Sequence, residues 1–210
     1  MIIYLILGLI SLLFFIAYLS FSSVIYFKEK KEKYFFRNHF PYEMRINKDR
    51  PYALANLFLI ISLLFYVTNN LYFAINDFSV NTAFLAFYSL IAAISTIFVF
   101  YTKPYNIRNF LFLGVIISIL TALSNFQFVF IILNDINFKE SVLYIPSLIL
   151  SICLGIVSLI GSFFIRLDDL KMNKEDKEIV RPNKINMAVY EWIIIFIIFI
   201  SQINLILYNL

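Results

Sequence analysis

The chain has 210 residues, of which 62% are hydrophobic, 19% aromatic and only 14% charged, with a formal net charge of +4. A soluble domain is closer to half apolar and a quarter charged, so this composition excludes a protein whose whole surface faces water. The chain contains one histidine and one cysteine, which excludes an intrachain disulfide and a zinc site made from several such ligands.

Six long uncharged runs dominate the sequence. Each is long enough to cross a hydrocarbon layer of about 30 Å as a helix, and that layer offers no water to unpaired backbone groups. We therefore predict an all-α integral membrane protein, a bundle of six transmembrane helices in a single domain that covers residues 1–210. The predicted helices cover residues 2–27, 52–76, 81–102, 109–134, 141–165 and 188–210.

The loop after the first helix, 28–51, begins with the charged stretch KEKKEK and continues with aromatic side chains among basic ones. This mixture predicts a segment that lies among lipid headgroups, with docking of a cytoplasmic partner as the alternative. The residues assigned to this contact are Phe36, Arg37, His39, Phe40, Tyr42 and Arg45. An acid–base pair of His39 and Glu43 is not expected, because Pro41 lies between them and disfavours a helical Phe40.

The second, fourth and sixth predicted helices each carry a cluster of uncharged polar residues at a similar depth. Counting about 1.5 Å per residue from the predicted cytoplasmic ends places all three clusters in the outer half of the bilayer. Because amides avoid lipid, we expect them to form hydrogen bonds between helices or, alternatively, to line a polar pocket that opens to the outside. The cluster comprises Asn69, Asn70, Asn125, Gln127, Gln202 and Asn204.

The fifth predicted helix carries small residues at helical spacing on one face. Small residues at this spacing let two helices approach closely in lipid. We expect the face to pack against the fourth predicted helix, with contact to a partner subunit as the alternative. Its residues are Ser151, Gly155, Ser158 and Ser162.

Basic residues are concentrated in alternate loops, since 16 of the 17 fall in 28–51, 103–108 and 166–187, and the remaining one is Lys139. Lysine and arginine mark cytoplasmic loops, so we predict three hairpins that dip toward an anionic inner leaflet, with both termini outside. The residue usage is typical of an AT-rich bacterial genome, and we expect a bacterial cell membrane. The placement of lysine and arginine in cytoplasmic loops accounts for the excess of basic over acidic residues, so nucleic acid is not an expected partner.

The sequence contains no motif for a nucleophile, a phosphate loop or a metal, so we assign no catalytic residue and no cofactor. No charge lies deep in a run, which counts against a proton relay or an ion pump. We expect a non-enzymatic accessory, scaffold or protective subunit of a bacterial membrane assembly, with other membrane-protein subunits as partners. The alternative is a small permease or substrate-binding transporter subunit for a neutral solute. In size, the chain resembles the substrate-binding subunits of bacterial vitamin importers, although its first helix lacks their alanine pattern.

Overall fold

Helices form all the regular structure in the computed structural model, which describes residues 2–45, 50–101, 107–164 and 185–210. In chain order they are α1 (Ile2–Lys30), α2 (Arg50–Asn76), α3 (Val80–Tyr101), α4 (Ile107–Asn134), α5 (Ile136–Lys139), α6 (Tyr144–Phe164) and α7 (Asn186–Tyr208). A short 3-10 helix, Pro41–Arg45, lies between α1 and α2. No strand occurs in these ranges.

Six of these helices, all except the one-turn α5, are long and apolar enough to cross a membrane. This confirms the prediction of an all-helical, multi-pass membrane protein. The ends of the six helices differ from the predicted ends by no more than three residues. The predicted loops 103–108 and 166–187 lie largely outside the described residues.

Small residues bring α1 close to its neighbours. The Ser11 hydroxyl on α1 donates to the Ser62 carbonyl on α2 at 2.9 Å, and the Ser62 hydroxyl donates back to the Ser11 carbonyl at 2.7 Å. A Cβ at Gly8 would lie 2.7 Å from Cδ1 of Ile206 on α7. The bare glycine backbone therefore permits the close contact between the first and last helices.

The small-residue face of α6 packs within the chain, against α4 and α7. A Cβ at Gly155 would lie 2.8 Å from the ring of Phe126 on α4, and the Ser118 hydroxyl of α4 donates to the Ser158 carbonyl. Ser162 is only partly buried, and its hydroxyl donates to the backbone of its own helix. The contact with α4 is the one expected from the sequence for the fourth and fifth predicted helices.

An aromatic layer closes the centre of the bundle. The rings of Phe15 on α1 and Phe199 on α7 stack with their centroids 3.8 Å apart. Phe196 approaches Phe15 edge-on at 5.7 Å, and Tyr66 of α2 lies 6.4 Å from Phe199. This layer separates two polar ends of the molecule. We name them the vestibule end, which contains the first turn of α1 and the last turn of α7, and the loop end, which contains residues 31–45.

Candidate functional site

An open cavity of about 880 Å³, the vestibule, lies at the vestibule end between the ends of α1, α2, α4 and α7. Its volume is in the range of about 300–1,000 Å³ that is usual for small-molecule sites. Its lining contains two carboxyl groups and five carboxamides, and none of its described residues is basic. These polar residues are Asn76, Asp77, Asn81, Asn134, Asp135, Asn137 and Asn209.

One wall of the vestibule is built around the carboxylate of Asp135. Its Oδ1 accepts hydrogen bonds from the backbone N–H groups of Asn137 at 3.0 Å and Phe138 at 3.1 Å, which cap the start of α5. Its Oδ2 accepts a hydrogen bond from the Tyr208 hydroxyl. Burial acts to raise the pKa of Asp135, but these three donors outweigh it and lower the pKa below its usual value. Asp135 is therefore a fixed, negatively charged acceptor.

The asparagines of the vestibule are partly committed to the backbone. The amide nitrogen of Asn76 donates to the Tyr72 carbonyl at 2.7 Å, and that of Asn209 donates to the Leu205 carbonyl at 2.8 Å. Each bond spans one turn of the asparagine's own helix, so it fixes the side chain and leaves the carboxamide oxygen for a donor. The Asp135 carboxylate and the oxygens of Asn76 and Asn209 are therefore acceptors in the vestibule. The Asn81 oxygen, in contrast, already accepts a hydrogen bond from Gln127, which leaves the N–H groups of Asn81 as donors.

Below the vestibule, the predicted amide cluster lies inside the bundle. The Asn69 amide nitrogen on α2 donates to the Gln202 carboxamide oxygen on α7 at 2.8 Å, which joins these two helices directly. Asn70, Asn125 and Asn204, from α2, α4 and α7, line one small cavity of about 10 Å³ together with serines. That space is enough for about one water molecule. The amides therefore both join helices and line a cavity.

The remaining contacts of the amide cluster show how it is divided. Asn70 and Asn125 each donate to a carbonyl of their own helix, at 2.9 and 2.8 Å. Asn204 donates to the Ser147 carbonyl and the Ser151 hydroxyl of α6. Gln127 is apart from the others, because its amide nitrogen donates to Asn81 of α3 at 2.7 Å. Five of the six predicted residues therefore belong to the cluster between the vestibule and the aromatic layer.

At the loop end, residues 34–44 form a cap over the start of α7. The indole N–H of Trp192 donates to the His39 carbonyl at 3.0 Å and to the Tyr34 hydroxyl at 3.1 Å. The backbone N–H of Ile185 donates to the Arg37 carbonyl at 2.8 Å. The Tyr34 hydroxyl donates to the Phe40 carbonyl at 2.8 Å, which holds the cap in its turn. Three hydrogen bonds therefore fasten the cap to α7 and the residue before it.

The burial of the cap corrects part of the prediction for this segment. His39 is 3% exposed and Phe40 is 0% exposed, so neither presents a surface to headgroups or to a partner. The reason is packing, because the cap folds back onto the start of α7. Phe36 packs its ring on Trp192 at 4.8 Å but stays partly exposed, and Arg37 is exposed. The side chains of Tyr42 and Arg45 lie outside the described part of the structure.

Two buried carboxyl groups lie at the loop end, Glu43 within the cap and Glu191 on α7. Glu43 is 2% exposed, and its Oε2 accepts a hydrogen bond from the Phe40 N–H at 3.0 Å. Glu191 is 1% exposed, and neither of its carboxyl oxygens has a hydrogen-bond partner. The negative charge of Glu43 acts on both Glu191 and Tyr34. Burial, followed by this charge, raises the pKa of Tyr34 well above its usual value, so its hydroxyl stays a donor.

Glu191 is inside the predicted helix 188–210, but it directly precedes a long uncharged stretch, so sequence reasoning did not expect its side chain to be buried. In the structure the helix begins at Asn186, and Glu191 is buried on it. A signal was present in the sequence. Apolar residues stand three and four positions before and after the glutamate, which places it on the buried face of a helix. They are Met187, Ala188, Ile194 and Ile195.

Neither a metal-binding group nor a similar protein gives a further indication of function. Within the described ranges, no three His, Cys, Asp or Glu side chains are grouped so that they could hold a metal ion. No family model, curated protein or solved structure matches the chain.

Proposed function

We propose that the chain is a non-enzymatic membrane protein that binds a small polar solute in the vestibule, as a permease or as the substrate-binding subunit of a transporter. The observation that carries this proposal is the vestibule itself, a cavity of about 880 Å³ with a lining of carboxamide and carboxylate groups. The amide-lined cavity between the vestibule and the aromatic layer is a second polar region on the same side of that layer.

The chemistry of the lining supports a solute that is rich in hydrogen-bond donors. Asp135 is held as a carboxylate, and Asn76 and Asn209 have committed an amide hydrogen to their own helices. A solute with hydroxyl or amide N–H groups would pair with these oxygens. An anion would meet the carboxylates of Asp77 and Asp135 with no basic group among the described lining residues. A neutral solute therefore fits the site better than an anionic one.

We also propose that the vestibule faces the outside of a bacterial cell membrane. The support is the distribution of basic residues, since the links at the vestibule end carry only Lys139 whereas the segment 28–51 alone carries eight lysines and arginines. A Cys153→Ala background allows single cysteines to be placed at Asn137 and at Lys33, both of which are exposed. An impermeant thiol reagent applied to intact cells should label the cysteine at 137 and leave the one at 33 unlabelled. The reverse pattern would invert the proposed orientation.

An accessory or scaffold role is the competing hypothesis. It was based on the small-residue face and on the aromatic, basic loop. The face packs on α4 and α7, and the ring of Phe36 packs on Trp192 of the same chain. These contacts account for both features without a partner, which is why we favour solute binding.

The decisive experiment is to purify the protein in mild detergent and identify both the small molecules and the proteins that accompany it. The test variant is Asn134→Trp, which places a bulky ring in the vestibule lining. The matched control is Leu133→Trp, one residue earlier and outside that lining. We expect a small polar molecule to co-purify with the wild type and the control and to be lost from the variant.

Two outcomes would contradict solute binding. One is that no small molecule differs between wild type and Asn134→Trp while both remain folded. The other is that a membrane protein accompanies all three samples in a fixed ratio and no small molecule does. The second result would support the accessory role.

A further inference from the structure

Glu191 is the most costly polar group among the described residues of the loop end. Its side chain is 1% exposed, and neither oxygen of its carboxyl accepts a hydrogen bond. Transferring an isolated ionised carboxylate from water into such a site costs far more than any single hydrogen bond returns. A buried carboxyl without a partner therefore needs a bound cation or a bound proton, or it would disrupt the packing around it.

The surroundings of Glu191 favour a proton over a metal ion. A metal ion needs several oxygen or nitrogen ligands at short range, and no such group is present in the described part of the chain. The described charged group with a resolved influence on Glu191 is Glu43, which is also an acid and already accepts a hydrogen bond from the Phe40 N–H. Two carboxyl groups in one dry site do not both ionise readily.

Among the described residues, the other titratable groups that act on or pack against the cap belong to the cap itself and to α1. The cap contributes Tyr34 and His39, and α1 contributes Tyr18 and Tyr26, whose hydroxyls carry no charge at neutral pH. From α3, Phe100 packs edge-on against Trp192 at 5.9 Å and has no titratable group. The side chains of Arg45, Arg50 and Arg108 lie outside the described part of the structure.

We propose that Glu191 is a proton-binding site and that the cap is its cover. A hydronium ion at the loop end gives its proton to one carboxylate oxygen of Glu191, so that one O–H bond of the hydronium breaks, one O–H bond forms on the carboxyl group, and a water molecule is left. Trp192, the next residue along α7, anchors the cap through its two indole hydrogen bonds, so the cap must loosen before that proton exchanges with water. This site is at the opposite end of the bundle from the vestibule and does not depend on the solute proposal.

A buried group that gains and loses a proton inside a membrane helix is typical of proton-coupled carriers. Coupling of this proton to a solute in the vestibule rests on the function proposed above. The proton site does not, and the experiment below uses no solute. A negative result for the proton site therefore leaves the solute proposal standing, and the reverse also holds.

The test is infrared spectroscopy of the purified full-length protein at neutral pH. A protonated carboxylic acid has a carbonyl stretch that a carboxylate lacks. We expect this band in the wild type, and we expect it to shift when the protein is made with ¹³C-labelled glutamate. We expect it to be absent in Glu191→Gln and retained in Glu43→Gln. The control is Glu140→Gln, which changes an exposed glutamate at the vestibule end and should keep the band.

The proposal is overturned if the wild type has no such band, if the band does not shift with labelled glutamate, or if folded Glu191→Gln keeps it. The first two results need no variant, so they decide the matter even if Glu191→Gln does not fold. The cover has its own test in deuterated water. Trp192→Phe removes the indole N–H and should speed hydrogen–deuterium exchange of the carboxylic acid several-fold. An unchanged exchange rate would show that the cap does not seal the site.

Discussion

The two ends of the bundle each contain a carboxyl group, but they place it in opposite environments. At the vestibule end, Asp135 has three hydrogen-bond donors and stands at the edge of an open cavity. At the loop end, Glu191 has no donor and is buried next to Trp192, the residue to which the cap is bonded. A carboxyl with fixed donors is held as a stable anion, whereas a dry carboxyl without them is suited to gain and lose a proton. This difference is the basis for our proposals of solute binding at one end and proton binding at the other.

The difference extends to the way each end is held together. The loop end is fastened by aromatic rings and by hydrogen bonds that run from the cap to α7, between residues more than 140 positions apart. At the vestibule end, several bonds join residues only four positions apart, such as Asn76 to Tyr72 and Asn209 to Leu205. Long-range contacts resist opening, whereas local bonds survive a change in the spacing between helices. We therefore expect the loop end to be the more stable of the two.

The largest expected effect is that of Trp192→Ala. The side chain is 1% exposed, and its loss removes a large ring together with both hydrogen bonds to the cap. Truncations of this kind cost about 3–5 kcal/mol of unfolding free energy. The counterpart at the vestibule end is Tyr208→Ala, whose ring packs on Phe138 at 4.6 Å but is partly exposed, so its loss should be smaller.

Unfolding in detergent, followed by circular dichroism, measures both variants without relying on tryptophan fluorescence. A larger destabilisation by Tyr208→Ala than by Trp192→Ala would reverse the assignment of the stable end.

Features of the fold could be predicted from the sequence where a single physical constraint determines them. The thickness of the bilayer determines the length of each apolar run, which is why all six helices were predictable. The prediction that amides of three helices lie at a similar depth rests on the same constraint. Their bonding was not, because depth does not determine how a helix is rotated. Thus Asn69 donates a hydrogen bond to Gln202 on α7, whereas Gln127 donates one to Asn81 on α3.

The cap and Glu191 were harder to predict for a different reason. A loop rich in aromatic and basic residues is compatible with two arrangements, because the same sequence can lie along the membrane or fold back onto the protein. The contact between Trp192 and residues more than 150 positions earlier decides between them, and it is a tertiary contact. Glu191 stands at the end of an apolar run, where a charge is ordinary, so only its face on the helix reveals that it is buried.

An intermediate effect is expected for the amides below the vestibule. Asn69→Leu removes the bond to Gln202 between α2 and α7, and such bonds in membranes contribute about 0.5–2 kcal/mol. Asn125→Leu should cost less stability, because its amide donates only to its own helix. If the small cavity belongs to the solute site, Asn125→Leu should nevertheless lose the co-purifying solute.

Unfolding curves and small-molecule mass spectrometry of the two amide variants separate helix joining from solute binding. Equal stability losses, with the solute retained in both, would limit the cluster to packing.

The smallest expected effect concerns Tyr34 and appears in the dependence of stability on pH. Its hydroxyl donates to the Phe40 carbonyl at 2.8 Å, and removing it in Tyr34→Phe should cost about 0.5–1.5 kcal/mol at neutral pH. Trp192 keeps the His39 carbonyl as an acceptor, so the indole is not left without a partner. The cap should therefore stay closed in this variant.

The pH dependence follows from the raised pKa of Tyr34, which burial causes first and the charge of Glu43 second. The folded protein holds this proton more tightly than the unfolded chain, in which a tyrosine titrates near pH 10. The stability contributed by the hydroxyl is therefore fully present below about pH 10 and is lost as the pH rises from there toward the folded-state pKa. The difference in unfolding free energy between wild type and Tyr34→Phe should shrink over that range. Trp192→Phe, which keeps the Tyr34 hydroxyl, should retain the pH dependence of the wild type. A constant difference between wild type and Tyr34→Phe across that range would mean that the cap leaves Tyr34 open to water, and the contrast between a dry loop end and a wet vestibule end would fail there.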